Sequence, residues 1–341
     1  MRYKLLGHSG LRVSEICLGT MTFGETWGWG ASKEESRSIF GCFVEQGGNF
    51  IDTANNYTDG TSEQYVGDFI ASDREHFVVA TKYTLSTRKD DPNGGGNHRK
   101  NMVQALEASL RRLRTDYIDL YWLHMWDGMT PVEEVMRALD DLVRAGKVLY
   151  IGISDTPAWI VSQANTLAEL RGWSRFVGLQ VPYALNSREV ERDLLPMARA
   201  FDMALLAWAP LSGGELTGKY QQPNDAPRRY GDEPLSEYTK TCAEAVMHMA
   251  QEIGRTPAQV AINWVRQQQE RALTIPIVGA RTAAQMRENL GCLEFTLTSD
   301  QLRRLDEISN VKPGFPHSFL ASDHVHELIH GNTLPLLDSH R

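Results

Sequence analysis

The chain has 341 residues, 42% of them hydrophobic and 23% charged, a length that suits one large α/β barrel or two average domains with a sizeable core. A formal net charge of −8 and a pI near 5.7, with no basic cluster, exclude the electrostatic footprint of a nucleic-acid-binding protein. The N-terminal residues show no signal-peptide pattern, and no apolar run reaches the roughly 18 residues a membrane span needs. The expectation is a cytoplasmic protein with neither a membrane nor a nucleic acid as partner.

Residues 3–6 and 11–13 are short apolar runs around a Gly/Ser-rich turn, which predicts a β-hairpin ahead of the main architecture. Residues 16–20 form the first core strand. Ser32 caps a helix to about Gln46, Glu35 completes a capping box, and Gly47-Gly48 ends the helix. The alternation then repeats with a strand at 50–52, a helix opening at Thr61 or Ser62, a strand at 77–81 and a loop at 90–97. A helix at 102–113 places Val103, Leu106, Leu110 and Leu113 on one face.

A fourth strand covers 117–123, Thr130-Pro131 opens a helix with a cap and a proline in its first turn, and a fifth strand covers 148–153. Thr156-Pro157 starts the next helix, 177–181 is strand six, and Ser187 caps a helix to about Phe201. Residues 203–208 and 273–277 are strands seven and eight, with helices at 237–253 and 257–268 between them. Eight strands alternating with helices predict a single (β/α)8 TIM barrel over residues 1–341, with an N-terminal β-hairpin and a C-terminal tail. The long loop from Ser212 to Glu237, rich in Gly, Pro, Asp and Arg, has the length of a functional segment. Cys17, Cys42, Cys242 and Cys292 lack metal-ligand spacing and read as reduced core residues.

Chemistry in such a barrel belongs at the C-terminal ends of the strands. Four side chains there form a set: Asp52 after strand two, Tyr57 in the loop beyond it, Lys82 after strand three and His124 after strand four. A reference pKa of about 10 makes tyrosine a weak acid at neutral pH, but a neighbouring lysine cation favours the phenolate. In this reading Tyr57 protonates a carbonyl oxygen, Asp52 holds the Lys82 ammonium, and His124 positions the substrate oxygen.

The run from Gly48 to Tyr57, the Lys82 strand end, the run from Tyr117 to His124, Gly146 to Ser154, Gln180 to Tyr183 and Gly279 to Thr282 together resemble the aldo-keto reductase family. The likeness extends from about Lys4 to about Leu290. It implies reversible hydride transfer between NADPH and an aldehyde or ketone, with Asp52, Tyr57, Lys82 and His124 as the catalytic residues. It also implies a cofactor site. Thr20, Met21 and Asp52 belong to it; Ser154 and Gln180 face the nicotinamide carboxamide, and Trp208 stacks on the ring. Ala209, Pro210, Leu211, Ser212, Gly214, Leu216 and Lys219 fold over the pyrophosphate. Gly279, Ala280, Arg281, Gln285, Glu288 and Asn289 reach the adenosine end. Asp155 stands where the family often has asparagine, and an ionised aspartate accepts but does not donate. Arg281 is the candidate partner of a 2′-phosphate, because guanidinium meets phosphate in a bidentate fork; NADPH is therefore expected over NADH.

An aromatic barrel mouth of Trp27, Trp29, Tyr57, His124 and Trp126, with Phe315 or Phe319 from the tail, suits an aldehyde or ketone of moderate size. Glu25, Asp127 and Arg99 offer the alternative of a polar mouth for a sugar-like substrate. The near match of Gly213 to Tyr220 to a phosphate-binding loop is read as a pyrophosphate cradle without hydrolysis, since tyrosine replaces the Mg²⁺-binding hydroxyl. His326-Glu327-x-x-His330 matches a zinc-peptidase pattern, but with Gly331 directly after it, it reads as a surface tail helix, and no metal is expected. A cofactor-sensing, non-catalytic subunit of the same fold is the alternative function; the sequence names no protein partner and leaves the oligomeric state open.

Overall fold

The computed structural model describes residues 1–220 and 234–338. Strands β1 (Tyr3–Leu5) and β2 (Arg12–Ser14) pair antiparallel as the expected hairpin. Eight parallel strands follow: β3 (Cys17–Gly19), β4 (Phe50–Asp52), β5 (Val78–Tyr83), β6 (Ile118–Leu123), β7 (Val148–Ser154), β8 (Phe176–Pro182), β9 (Ala204–Trp208) and β10 (Thr274–Val278). They close a barrel in chain order, with β10 returning to pair with β3.

Helices α1 (Lys33–Glu45), α2 (Thr61–Ile70), α3 (Arg99–Leu113), α4 (Val132–Arg144), α5 (Ala158–Arg171) and α6 (Leu194–Ala200) alternate with the strands. Both α7 (Glu237–Ile253) and α8 (Pro257–Arg266) lie between β9 and β10, and α9 (Ala283–Leu290) follows β10. The tail carries α10 (Ser299–Ile308), α11 (His317–Leu320) and α12 (Asp323–His330). This is the expected (β/α)8 TIM barrel with its hairpin and tail.

Two apolar layers hold it. Outward-facing strand residues such as Val79, Tyr83, Tyr121 and Ile153 pack against the helices, while Phe50, Val78, Ala80, Leu120, Trp122 and Leu206 fill the interior. Leu6 and Val13 of the hairpin join the interior layer, and the Lys4 ammonium donates to the Thr274 carbonyl at 3.0 Å, so the hairpin closes the N-terminal end. Because side chains alternate along a strand, the inward parity of Phe50 continues to Asp52, that of Ala80 to Lys82, and that of Trp122 to His124. The apolar interior is thus the floor on which the polar strand ends stand.

Some local expectations are corrected by tertiary competition. Ser32 caps α1 by accepting from Glu35 N, but the Glu35 carboxylate bonds Ala283 N at 2.6 Å instead of closing a capping box. The Thr130 hydroxyl donates to Asp127 and so does not cap its helix, whereas α5 starts directly after Thr156-Pro157 as expected. Ser187 starts no helix, because its backbone bridges to Ala184; a single 3₁₀ turn at Glu189–Glu191 and then α6 take up that segment. On α3 the buried face is Met102, Ala105, Leu106, Leu110 and Leu113, and Val103 points outward. All four cysteines are free and buried, as expected. No described helix is long and apolar enough to cross a membrane.

Trp122 is fully buried in the barrel. A Cβ on Gly178 would lie 2.9 Å from its ring, and one on Gly152 would collide with it more severely. Gly152→Val should therefore lower the unfolding free energy by about 1–3 kcal/mol or more through overpacking, read as a lower urea midpoint, with Trp122→Leu in the same chain recovering part of the loss.

Candidate active site

The loop after β4 turns sharply. Thr58 (φ 45°) and Asp59 (φ 56°) are left-handed, and the Thr58 hydroxyl pins the turn by donating to the Phe23 carbonyl at 2.6 Å. That turn swings the Tyr57 ring back over the barrel mouth.

Beneath it lies Lys82, 0% exposed. Its ammonium donates to Asp52 Oδ2, to the Thr53 carbonyl at 2.8 Å and to Tyr57 Oη at 3.0 Å. Burial by itself would drive this group toward neutrality. The Asp52 charge and the hydrogen bonds to Asp52 and Tyr57 outweigh that and hold Lys82 above the usual lysine range. Asp52 is itself fixed from the other side, because Gln180 Nε2 donates to its Oδ1 at 2.9 Å.

His124 completes the set, its ring edge-on to Tyr57 with centroids 6.1 Å apart. Desolvation, reinforced by the Lys82 charge, pushes its pKa down to about 3. Its imidazole is neutral throughout the physiological range, and the buried Nδ1 has no hydrogen-bond partner among the described residues. All four residues expected at the strand ends are thus brought together.

Asp52, Tyr57 and His124 line one end of a cavity of about 810 Å³, with Lys82 buried behind them. Its walls include Thr20, Met21, Ser154, Asp155, Gln180 and Trp208; then Ala209, Pro210, Leu211, Gly214 and Lys219; then Gly279, Ala280, Arg281, Gln285, Glu288 and Asn289. Two residues expected there are absent. Leu216 is buried in the core, and the Ser212 hydroxyl turns away to donate to Asn186 Oδ1 at 2.8 Å. Gly213, expected in the pyrophosphate cradle, also lines the cavity, and Thr22, Asn56 and Leu85 line it without having been singled out; for Asn56 the signal was its place next to Tyr57.

At the mouth only Trp29 of the three tryptophans lines the cavity. Trp27 packs edge-on behind Tyr57 at 6.5 Å, and Trp126 packs on the core, its backbone N–H directed to the Asp155 carbonyl. Phe315 and Phe319 pack against each other at a tilt in the exposed tail and do not line the cavity. The polar alternative is also corrected: Asp127 is consumed by Asn97, Met129 and Thr130, Arg99 pairs with Asp141, and exposed Glu25 lies outside the cavity wall.

A dinucleotide fits this shape and donor set. Gly214 (φ 96°) lets the Lys219 side chain approach, since a Cβ there would sit 2.5 Å from Lys219 Cε. Arg281 stands at the far end, where its backbone N–H is held by Gln285 Oε1 at 2.9 Å. His326, Glu327 and His330 lie on α12, which runs unbroken through His330 to Gly331, a more regular helix than the sequence suggests. Among the described residues no three His, Cys, Asp or Glu side chains could hold a metal; His340 lies outside them.

The sequence matches the Aldo/keto reductase family over residues 15–310. The chain belongs to that family. It is 38% identical over 322 residues to norsolorinic acid reductase stcV of Emericella nidulans, covering 92% of this chain and 82% of the relative. It is 38% identical to norsolorinic acid reductase B of Dothistroma septosporum, covering 94% and 85%. It is 35% identical to the aryl-alcohol dehydrogenase (NADP(+)) of Phanerodontia chrysosporium, covering 94% and 89%.

In this aldo/keto reductase the Lys82–Asp52 pair should matter to folding as well as to chemistry. Removing one partner of a buried pair costs about 3–5 kcal/mol, so Asp52→Asn should lower the neutral-pH urea midpoint accordingly. Because the folded Lys82 pKa is raised, the wild-type contribution is fully present below the ordinary value of 10.5 and is lost as pH climbs above it. Urea titrations at pH 7 and above 10.5 should therefore show the gap between wild type and Asp52→Asn narrowing.

Proposed function

We propose that this protein is an NADPH-dependent oxidoreductase that interconverts an aryl aldehyde or ketone and its alcohol. The observation that carries the reading is the Lys82 ammonium 3.0 Å from Tyr57 Oη, sealed against Asp52 at the floor of a dinucleotide-sized cavity. The names of the relatives, reductases and an NADP(+)-linked aryl-alcohol dehydrogenase, support the substrate class and the cofactor.

The bound nicotinamide would supply the hydride. Tyr57 gives its phenolic proton to the carbonyl oxygen. Lys82 donates to the same phenolic oxygen and stabilises the phenolate left behind, and Asp52 keeps Lys82 charged. Neutral His124 directs a ring N–H at the carbonyl oxygen and holds it beside Tyr57. Ser154 and Gln180 hold the carboxamide and Trp208 the ring, Lys219 and the Gly213-Gly214 turn hold the pyrophosphate, and Arg281 grips the 2′-phosphate. Trp29 and Leu85 give the substrate side its apolar wall.

NADPH consumption with a panel of aromatic aldehydes, aliphatic ketones and sugars tests the reading. Aromatic aldehydes should turn over, and Tyr57→Phe should cut kcat by about 10²–10⁴-fold, the range of general acid catalysis. Wild-type turnover by Tyr57→Phe would remove the mechanism, and tight NADPH binding without turnover of any carbonyl would favour the sensor role. Arg281→Ala should weaken NADPH by roughly 10–100-fold, the worth of charge-assisted hydrogen bonds, with NADH little affected. With the His124 pKa near 3, the pH profile of kcat/KM should show no histidine ionisation between about pH 5 and 8.

A further inference from the structure

Asp155 brings a charge to a place where a neutral side chain would serve for hydrogen bonding. Its backbone is held in the left-handed region (φ 41°) by two neighbours: its N–H donates to the Gln180 carbonyl at 3.2 Å, and its carbonyl accepts from Trp126 N at 3.5 Å. Its Oδ1 accepts from Trp208 Nε1 at 3.2 Å, and the residue lines the cavity beside Ser154, Gln180 and Trp208. Among the described residues it forms no salt bridge with any cation. The inner end of the cavity therefore holds two carboxylates, Asp52 and Asp155, against one ammonium, Lys82, with His124 neutral. Asp52 and Lys82 cancel each other in direct contact. Asp155 leaves one net negative charge facing the cavity.

A nicotinamide ring is neutral when reduced and carries one positive charge when oxidised, because the departing hydride takes the electron pair with it. We propose that Asp155 is a redox-selective element of the cofactor site, its carboxylate favouring the oxidised, cationic nicotinamide over the reduced, neutral one and so drawing the bound equilibrium toward carbonyl reduction. This rests on the assignment of the nicotinamide to Ser154, Gln180 and Trp208. Desolvation in the cavity pushes the Asp155 carboxyl up from the usual range, opposed by the hydrogen bond from Trp208 and by the Lys82 charge; a bound cation would relieve part of that cost. In the opposite direction, an asparagine here keeps the acceptor for Trp208 and gives up the charge.

The test is a pair of binding titrations on the full chain, NADP⁺ and NADPH against wild type and Asp155→Asn, followed by quenching of tryptophan fluorescence or by calorimetry. The ratio Kd(NADP⁺)/Kd(NADPH) should rise by about tenfold or more in Asp155→Asn, tenfold being the size of one charge–charge interaction at an effective dielectric constant of about 20 across roughly 12 Å, and more at shorter range. Trp208→Phe, which removes the indole donor and keeps the carboxylate, should weaken both forms and leave the ratio near the wild-type value. An unchanged ratio in Asp155→Asn with both nucleotides bound, including equal weakening of the two, overturns this inference and leaves the proposed function standing. Failure of wild type to bind either nucleotide overturns both.

Discussion

The Lys82 ammonium sits where water cannot reach it, and the rest of the site follows from how its charge is met. An isolated ammonium in such a place would lose its proton. Asp52 prevents this from the adjacent strand, the Thr53 carbonyl takes a second donor direction, and Tyr57 receives the third. The last contact turns a structural necessity into chemistry, because satisfying the ammonium places it on the one oxygen whose anion needs stabilising. Gln180, on the far side of the barrel, holds Asp52 in the orientation that makes this geometry unique.

Burial pushes both the lysine and the histidine toward their neutral forms, and their neighbours decide the outcome. Both groups lose solvent, but Lys82 has a carboxylate in contact and His124 faces only the lysine's positive charge, so one is held charged and the other neutral. The environment thereby drives the two groups apart in protonation state, further than their ordinary values already do. The floor under them is the second requirement. Trp122 fills the barrel only because Gly152 and Gly178 carry no side chain, and this packing excludes water from beneath the ion pair.

How much of this could be read from the residues depends on the range of the interaction responsible. Strand parity is local, so Asp52, Lys82 and His124 share the face of the apolar residues at 50, 80 and 122, and their places at the strand ends, which were legible, set their height. Helix caps were less readable. The Glu35 carboxylate and the Thr130 hydroxyl each had a competing partner, at Ala283 and Asp127. A local propensity cannot weigh a partner that arrives from another loop. The barrel mouth failed for the same reason: an aromatic residue in a loop reads alike whether it lines the cavity, as Trp29 does, backs Tyr57, as Trp27 does, or packs on the core, as Trp126 does.

By itself, the sequence determined the alternation of strands and helices, the barrel that this alternation closes, and the four side chains at successive strand ends, because period, glycine stops and strand polarity are all encoded within a few residues. Only the tertiary structure decided that the Thr53 carbonyl would take a Lys82 donor, that Gln180 would hold Asp52 across 128 positions, and that Asp155 would meet the Trp208 indole across 53. Those contacts depend on rotamers and on loops folded over the barrel from distant parts of the chain, and no local pattern specifies them.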